Sequence, residues 1–313
     1  MGVWGYGRRE SGTPTLPHSH TPILWIPAIL VIAACAAGTW HQTGYWKDSI
    51  ALFRRALAVT EKNALAETNL GMVLIERGKY EEGIAHERAA IRIRPGSRAY
   101  NNIGAALVRM GRLDEAVPYY EKAIELERSY AKAHHNLGYA LFTKGQYAEA
   151  AEQFRQAISR EPDNADSHYF LACSLSELGE TDEAIRQYRE VLLIKPQHHL
   201  AHYNLGVILM GRGDYEGAVT EFEAAIRAKP DYAQAHHNLG QALDSLERFD
   251  EAIRAYREAI RLKPSLGEAH NNLAIDLYDA GRYKEAWDEV RLARKYGVEP
   301  HPEFLKALAA KNE

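Results

Sequence analysis

The sequence predicts an all-α chain, a solenoid of stacked helix pairs preceded by one membrane-spanning helix. Three observations carry this reading. A small residue returns at a near-constant interval, at Gly71, Gly104, Gly138, Ala172, Gly206, Gly240 and Ala274; the first step is 33 residues and each later one 34. A large apolar residue directly precedes each, from Leu70 to Leu273. Pro22–Trp40 is a run of 19 residues without a charged side chain. Self-similarity at such a period marks helix pairs that bury their apolar faces only by stacking.

Residues 1–21 form a polar leader containing Arg8 and Arg9. The run 22–40, PILWIPAILVIAACAAGTW, would reach about 28 Å as a helix, close to the ~30 Å hydrocarbon core of a bilayer. No Asp, Glu, Lys or Arg occurs from Ser11 to Trp46, and Trp25, Trp40, Tyr45 and Trp46 are placed as interfacial anchors. Pro27 is tolerable near the end of a membrane helix. Two other readings compete, a buried soluble helix and a cleaved lipoprotein signal. In the latter Ile32-Ala33-Ala34-Cys35 is the cleavage box and Cys35 the lipidated residue. Against cleavage, Arg8-Arg9 lies far from the apolar run, across two prolines. The basic residues flanking the run are nearly balanced, Arg8 and Arg9 before it and Lys47, Arg54 and Arg55 after, so charge leaves the topology open.

Running the repeat backwards puts Gly44 on the interhelical turn, Trp46 and Phe53 on aromatic positions and Ala56 on a docking alanine. Residues 41–63 therefore read as a half-repeat, with 45–61 its second helix and Leu30–Thr43 its first, continuous with the membrane helix. No Gly/Ser-rich linker intervenes. Residues 64–300 hold seven repeats. Twelve residues after the small marker stands Ala116, Ala150, Ala184, Ala218, Ala252 or Ala286; sixteen after it, Tyr120, Phe154, Tyr188, Phe222 or Tyr256. Offsets of three and four put these on one helix face. Glycine seven residues after most markers, as at Gly145 and Gly213, permits a tight turn between helices A and B, and Pro162, Pro196, Pro230 and Pro264 end helix B. Residues 301–313 form a capping helix that covers the last repeat with Phe304, Leu305 and Leu308.

The string AHHNLGYALFTKGQYAEAAEQFRQAISREP, Ala133 to Pro162, resembles a tetratricopeptide repeat, and the resemblance spans 64–300. It implies a right-handed α-solenoid that binds proteins and is not itself an enzyme. Departures are Glu247 at a turn glycine, Arg128 at a terminal proline, and Glu87 and Val290 at an aromatic position. A second resemblance is carried by HQTGYWKDSIALFRRALAVTEKNALAETNLG, His41 to Gly71, through Gln42, Trp46, Leu52 and Asn63. It is similar to the passage from the last membrane helix into the repeats of protein O-mannosyltransferase-like membrane proteins. This implies repeats on the extracytoplasmic side and a glycosyltransferase core as partner. In that family the catalytic acids lie in a multi-helix membrane part, to which nothing here corresponds.

Helix A lines the concave side of such a superhelix. Two residues before the markers stand Asn69, Asn102, Asn136, Asn204, Asn238 and Asn272, with Phe170 interrupting the row. An amide donates to one peptide carbonyl and accepts from one peptide N–H, so a row of them can grip an extended chain. The arrangement is similar to the asparagine ladder of O-linked N-acetylglucosamine transferase, which implies backbone binding. Bonds between adjacent helices are an equal alternative. His135, Tyr139, Phe142, Tyr169, Tyr203, Val207 and Met210 follow in the central groove, where aromatic residues can form pockets for apolar side chains. In the last two repeats the corresponding positions are polar, among them Gln241 and Asp244.

His134, His168, His202, His236 and His270 recur one repeat apart, too far to share one ion at the ~2.1 Å ligand distance. No nucleophile–base set, phosphate loop or cofactor motif stands out. Net charge of −4 with mixed signs excludes a nucleic-acid footprint, and Cys35 and Cys173 form neither a disulfide framework nor a metal pair. The expected function is a membrane-anchored scaffold for a protein or peptide segment. The alternatives are an acceptor-binding accessory of a membrane glycosyltransferase and a lipoprotein assembly factor.

Overall fold

The structure, a computed structural model, describes residues 49–311. The polar leader, the expected spanning helix 22–40, Cys35 and the first helix of the half-repeat lie outside the described residues. Among the described residues there are sixteen α-helices and no strand, and no helix is long and apolar enough to cross a membrane.

The first helix, α1 (Ser49–Val59), stands alone. Seven helix pairs follow. They are α2 (Ala64–Glu76) with α3 (Tyr80–Ile93), α4 (Ser97–Arg109) with α5 (Leu113–Leu126), and α6 (Ala131–Thr143) with α7 (Tyr147–Ile158). Next come α8 (Ala165–Glu177) with α9 (Thr181–Ile194), α10 (His199–Gly211) with α11 (Tyr215–Ala228), and α12 (Ala233–Ser245) with α13 (Phe249–Leu262). The last pair is α14 (Gly267–Asp279) with α15 (Tyr283–Lys295), and α16 (Pro302–Ala309) closes the stack. The first member of each pair is the A helix of its repeat and the second the B helix.

Each pair is made by local chemistry. Acidic residues occupy the first turn of most B helices, where they complement the helix dipole, as with Asp114 and Glu115 in α5. The A-to-B turn needs one residue in left-handed conformation, and Gly145 (φ 78°) and Gly213 (φ 78°) supply it without a Cβ penalty. Glu247 holds the same conformation (φ 59°) at the one turn where glycine is missing.

Within a pair, helices meet at the small marker. A Cβ on Gly104 would lie 2.6 Å from a ring carbon of Tyr120, so glycine lets the Tyr120 ring lie flat against the A helix. Tyr120, Phe154, Tyr188, Phe222 and Tyr256, one in each of repeats 2 to 6, are all buried. Each removes enough apolar surface from water to stabilise the stack by about 2–3 kcal/mol. Each B helix packs on the next A helix, so apolar contact runs from repeat to repeat. Several successive A helices also touch one another, which B helices do not do comparably. The A helices are therefore the crowded, inner wall of the stack.

At the N-terminal end, Ile50, Phe53 and Leu57 of α1 pack on Leu70, Val73 and Leu74, so α1 docks on repeat 1 as a B helix docks on the following A helix. At the other end α16 lays Leu308, Phe304 and Leu305 on the last repeat, with Phe304 edge-on to Tyr278.

Candidate functional site

The asparagine row is present on the A helices, but its amide nitrogens point into the repeat junctions. Asn102 Nδ2 donates to Glu87 Oε1 (2.7 Å) and Asn136 Nδ2 to Asn101 Oδ1 (2.9 Å). Asn204 Nδ2 reaches the hydroxyls of Tyr188 (3.2 Å) and Tyr169 (3.3 Å), and Asn238 Nδ2 that of Tyr203 (3.1 Å). Asn272 Nδ2 lies 3.5 Å from the Tyr256 hydroxyl, and its Oδ1 accepts from Asn271. Asn69 in α2 is half-buried. Five of these amides thus have the donor half bonded to the fold, and a ligand peptide N–H would have to use the acceptor half.

Phe170 is the residue that sequence reasoning treated as an interruption, and it sits at the centre of an aromatic cluster. Its ring stacks on Phe154 (5.9 Å between centroids) and meets Tyr139 (5.1 Å), Tyr169 (5.3 Å), Phe142 (5.7 Å) and His135 (6.2 Å) edge-on. The reason lies one repeat upstream. Where the core aromatic is Tyr188 or Tyr256, its hydroxyl accepts from the following repeat's asparagine; Phe154 has no hydroxyl, so an apolar ring is the better neighbour. Asn238, which follows Phe222, turns instead to Tyr203.

The structure brings His135, Tyr139, Phe142 and Tyr169 together around Phe170. The His135 Nδ1 pairs with Ser167 Oγ at 2.8 Å, and burial holds its pKa below the usual imidazole value. Tyr203 packs one step further along, against Phe222 and Tyr232, and Met210 belongs with it to the second core cluster, which serves repeats 5 to 7. These two are neighbours of the aromatic cluster and not members of it. Tyr139 and Val207 are exposed.

Between the two groups opens a cavity of about 280 Å³. Phe142, Val207 and Ile208 give it apolar walls, and Cys173, Tyr188 and Asn204 a polar lining. The Tyr188 hydroxyl donates to Cys173 Sγ (3.3 Å). Burial raises the Cys173 thiol pKa, which keeps the sulfur protonated and unreactive. The cavity has the size and mixed lining for one large side chain of a partner. It has no nucleophile–base pair, and among the described residues no group of His, Cys, Asp or Glu is placed to hold a metal.

The recurring histidines are structural rungs. His168 and His270 each span from a helix-B side chain, Gln187 (2.7 Å) and Glu289 (2.5 Å), to the carbonyl of the preceding repeat's proline, Pro162 (2.9 Å) and Pro264 (2.9 Å). His202 does the same between Glu221 (2.6 Å) and the Pro196 carbonyl (3.0 Å).

Profiles of the tetratricopeptide repeat family match residues 62–128, 97–160, 136–188, 169–233, 208–266 and 237–300. Protein O-mannosyl-transferase Tmtc2 of Drosophila melanogaster is 38% identical over 73 residues, which is 23% of this chain and 8% of that protein. The chain therefore spans under a tenth of that relative. Among solved structures, YrrB, titled a TPR protein with an unusual peptide-binding site, superposes with a TM-score of 0.54 at 26% identity, over 58% of this chain and 95% of its own. Pseudomonas aeruginosa PilF superposes with a TM-score of 0.59 at 18% identity, over 66% of this chain and 94% of its own, and shares the fold. A MamA variant from RS-1 gives 0.51 at 25% identity, over 53% and 93%. The period, the glycine-to-aromatic packing and these matches converge: the chain belongs to the tetratricopeptide repeat family.

Proposed function

We propose that the chain is a protein-interaction scaffold that holds an extended protein segment along the inner wall of its A helices. The observation that carries this is the cavity of about 280 Å³ between Phe142 and the exposed Val207. An apolar or aromatic side chain of the partner occupies it, and the free acceptor oxygens of Asn136, Asn204 and Asn238 take N–H groups of the partner backbone. The likeness to YrrB, a peptide-binding protein by its title, supports this reading. Val207→Lys tests it: the substitution fills the cavity mouth with charge from an exposed position. Binding of a natural partner or selected peptide should weaken at least about tenfold with helix content unchanged. Binding as tight as wild type would refute the groove.

We propose further that residues 22–40 anchor the chain in a membrane, the charge-free run supporting this. The intact mass of the protein isolated from the membrane fraction tests the anchor. A mass beginning at Cys35 plus lipid would replace it with lipidation and the assembly-factor reading. The match to Tmtc2 supports a second reading, in which the repeats present acceptor protein to a membrane glycosyltransferase core. Crosslinking in native membranes should then recover a multi-spanning glycosyltransferase. Recovery of other partners alone would exclude it.

A further inference from the structure

Over repeats 2 to 7 the inner wall is electrically divided; the A helix of repeat 1, α2, lies outside this division and carries Glu67 and Glu76. The A helices of repeats 2 and 3, α4 and α6, contain Arg98, Arg109 and Lys132 and no acidic residue. Those of repeats 4 to 7, α8, α10, α12 and α14, contain Asp166, Glu177, Asp244, Glu268, Asp276 and Asp279 and no lysine or arginine. The turns and B helices do not segregate in this way. Around the turns and B helices, acids and bases alternate and pair, as in Arg112 with Glu115 and Glu81, Arg248 with Glu251 and Glu216, and Arg155 with Glu183.

The inner-wall charges are mostly left without partners. Among the described residues Arg98 and Lys132 form no ion pair, and Arg109 reaches only the Ile75 carbonyl (3.4 Å). In the acidic zone Glu177 and Asp279 are exposed and form no ion pair with lysine or arginine, and Asp166 alone of the six acids has such a partner, Lys195 (2.8 Å). Asp276 is 4% exposed, and neither its Oδ2 nor Oδ1 of the half-buried Asp244 has a hydrogen-bond partner outside this pair. Burial raises the pKa of both carboxyls, and they share a proton in a hydrogen bond to each other, so the charge of this zone lies on Glu177, Glu268 and Asp279, with Asp166 paired to Lys195. The cavity, lined by Phe142 of repeat 3, Glu177 of repeat 4 and Val207 and Ile208 of repeat 5, opens where the acidic zone begins, so over repeats 2 to 7 the wall reads as basic, then mixed with apolar walls at the cavity, then acidic.

We propose that the segment bound in the groove is itself charge-divided, acidic where it crosses repeats 2 and 3, apolar at the central cavity, and basic where it crosses repeats 6 and 7. This rests on the groove being the binding surface. Complementary fields fix the direction in which an extended chain lies, because the reversed segment would set like charges against each other at both ends. A uniformly acidic or uniformly basic segment would match one end and be repelled by the other.

Selection of a random displayed library of about 16-residue peptides on the full chain tests this. The expected peptides carry acidic residues on one side of an apolar centre and basic residues on the other. Their affinity should fall about tenfold in the double variant R98E/K132E and again in E268K/D279K, and the loss should shrink at high salt. In R98E/K132E, a peptide with its acidic end changed to basic should recover the affinity. Peptides that lose binding with V207K yet show no charge order, or that bind both double variants within about twofold of wild type, would overturn the charge assignment and leave the groove standing. Peptides indifferent to V207K, or no enriched peptides at all, would overturn the groove itself.

Discussion

Glu87 occupies the place where other repeats carry the core aromatic. It is fully buried against Gly71, with Asn102 donating to it, and burial pushes its carboxyl up to about 8. Such a group is neutral in the fold at pH 7 and holds more protons folded than unfolded. Its contribution to stability is therefore fully present below the ordinary carboxyl range and is lost as pH rises through about 8. Glu87→Gln keeps the hydrogen-bonding shape without the ionisation. The variant should melt near wild type at pH 5 and above it at pH 9; equal melting temperatures at both would show that Glu87 does not titrate within the fold. Glu247 departs from the pattern at a turn. A non-glycine residue in left-handed conformation costs about 1–2 kcal/mol, so Glu247→Gly should raise stability by about 1 kcal/mol in urea titration. No gain would mean that the repeat 6 turn is relaxed.

At the scale of the helix pair, legibility followed locality. The small marker, the turn glycine and the terminal proline act within a few residues, and the all-helical solenoid they implied is what the structure shows. Roles fixed across a repeat boundary were not legible. Whether Asn204 grips a ligand or its neighbour depends on hydroxyls 16 and 35 residues earlier, those of Tyr188 and Tyr169. The place of Phe170 likewise depends on Phe154.

The histidine rungs belong to the same scale. His202 and His270 have only acceptors at both ring nitrogens, a carboxylate and a proline carbonyl, so full bonding needs the imidazolium form. The Glu221 contact raises the His202 pKa against the opposing effects of burial and Arg227. For His270, burial lowers the pKa, but Glu289 and the Pro264 carbonyl outweigh it and the net shift is upward. Raised values mean stability that is complete below the unfolded histidine range and lost as pH rises through the folded one. His202→Ala should cost about 1–2 kcal/mol at pH 6 and distinctly less at pH 9. A loss independent of pH would show that the rung is uncharged.

Over the whole molecule, contacts run between neighbouring repeats, so stability is a sum of repeat and junction terms. Deleting residues 302–313 removes the side chains that cover Leu277 and Tyr278. Amide exchange should then quicken across 267–295 and stay unchanged across 64–158; uniform acceleration would mean that the stack unfolds as one unit. The order of the inner wall over repeats 2 to 7 was also present in the sequence, as A helices with bases only followed by A helices without a base, after the acidic A helix of repeat 1. It becomes visible only when helix A is separated from helix B, because B-helix charges mask it in any running average.

The alternation of core rings, Tyr120, Phe154, Tyr188, Phe222 and Tyr256, reaches beyond packing. The ring alternates with a period of two repeats, while the amides that follow it find different partners: Asn136 after Tyr120 turns to Asn101, Asn204 after Tyr188 bonds the ring hydroxyl, and Asn238 after Phe222 turns to Tyr203. Excising repeat 4 alone would set Asn204 beside Phe154, a donor facing a hydrocarbon. Excising repeats 3 and 4 together would set it beside Tyr120 and restore a hydroxyl. At the Asn204 junction, then, loss of two repeats keeps a ring hydroxyl beside the amide and loss of one does not.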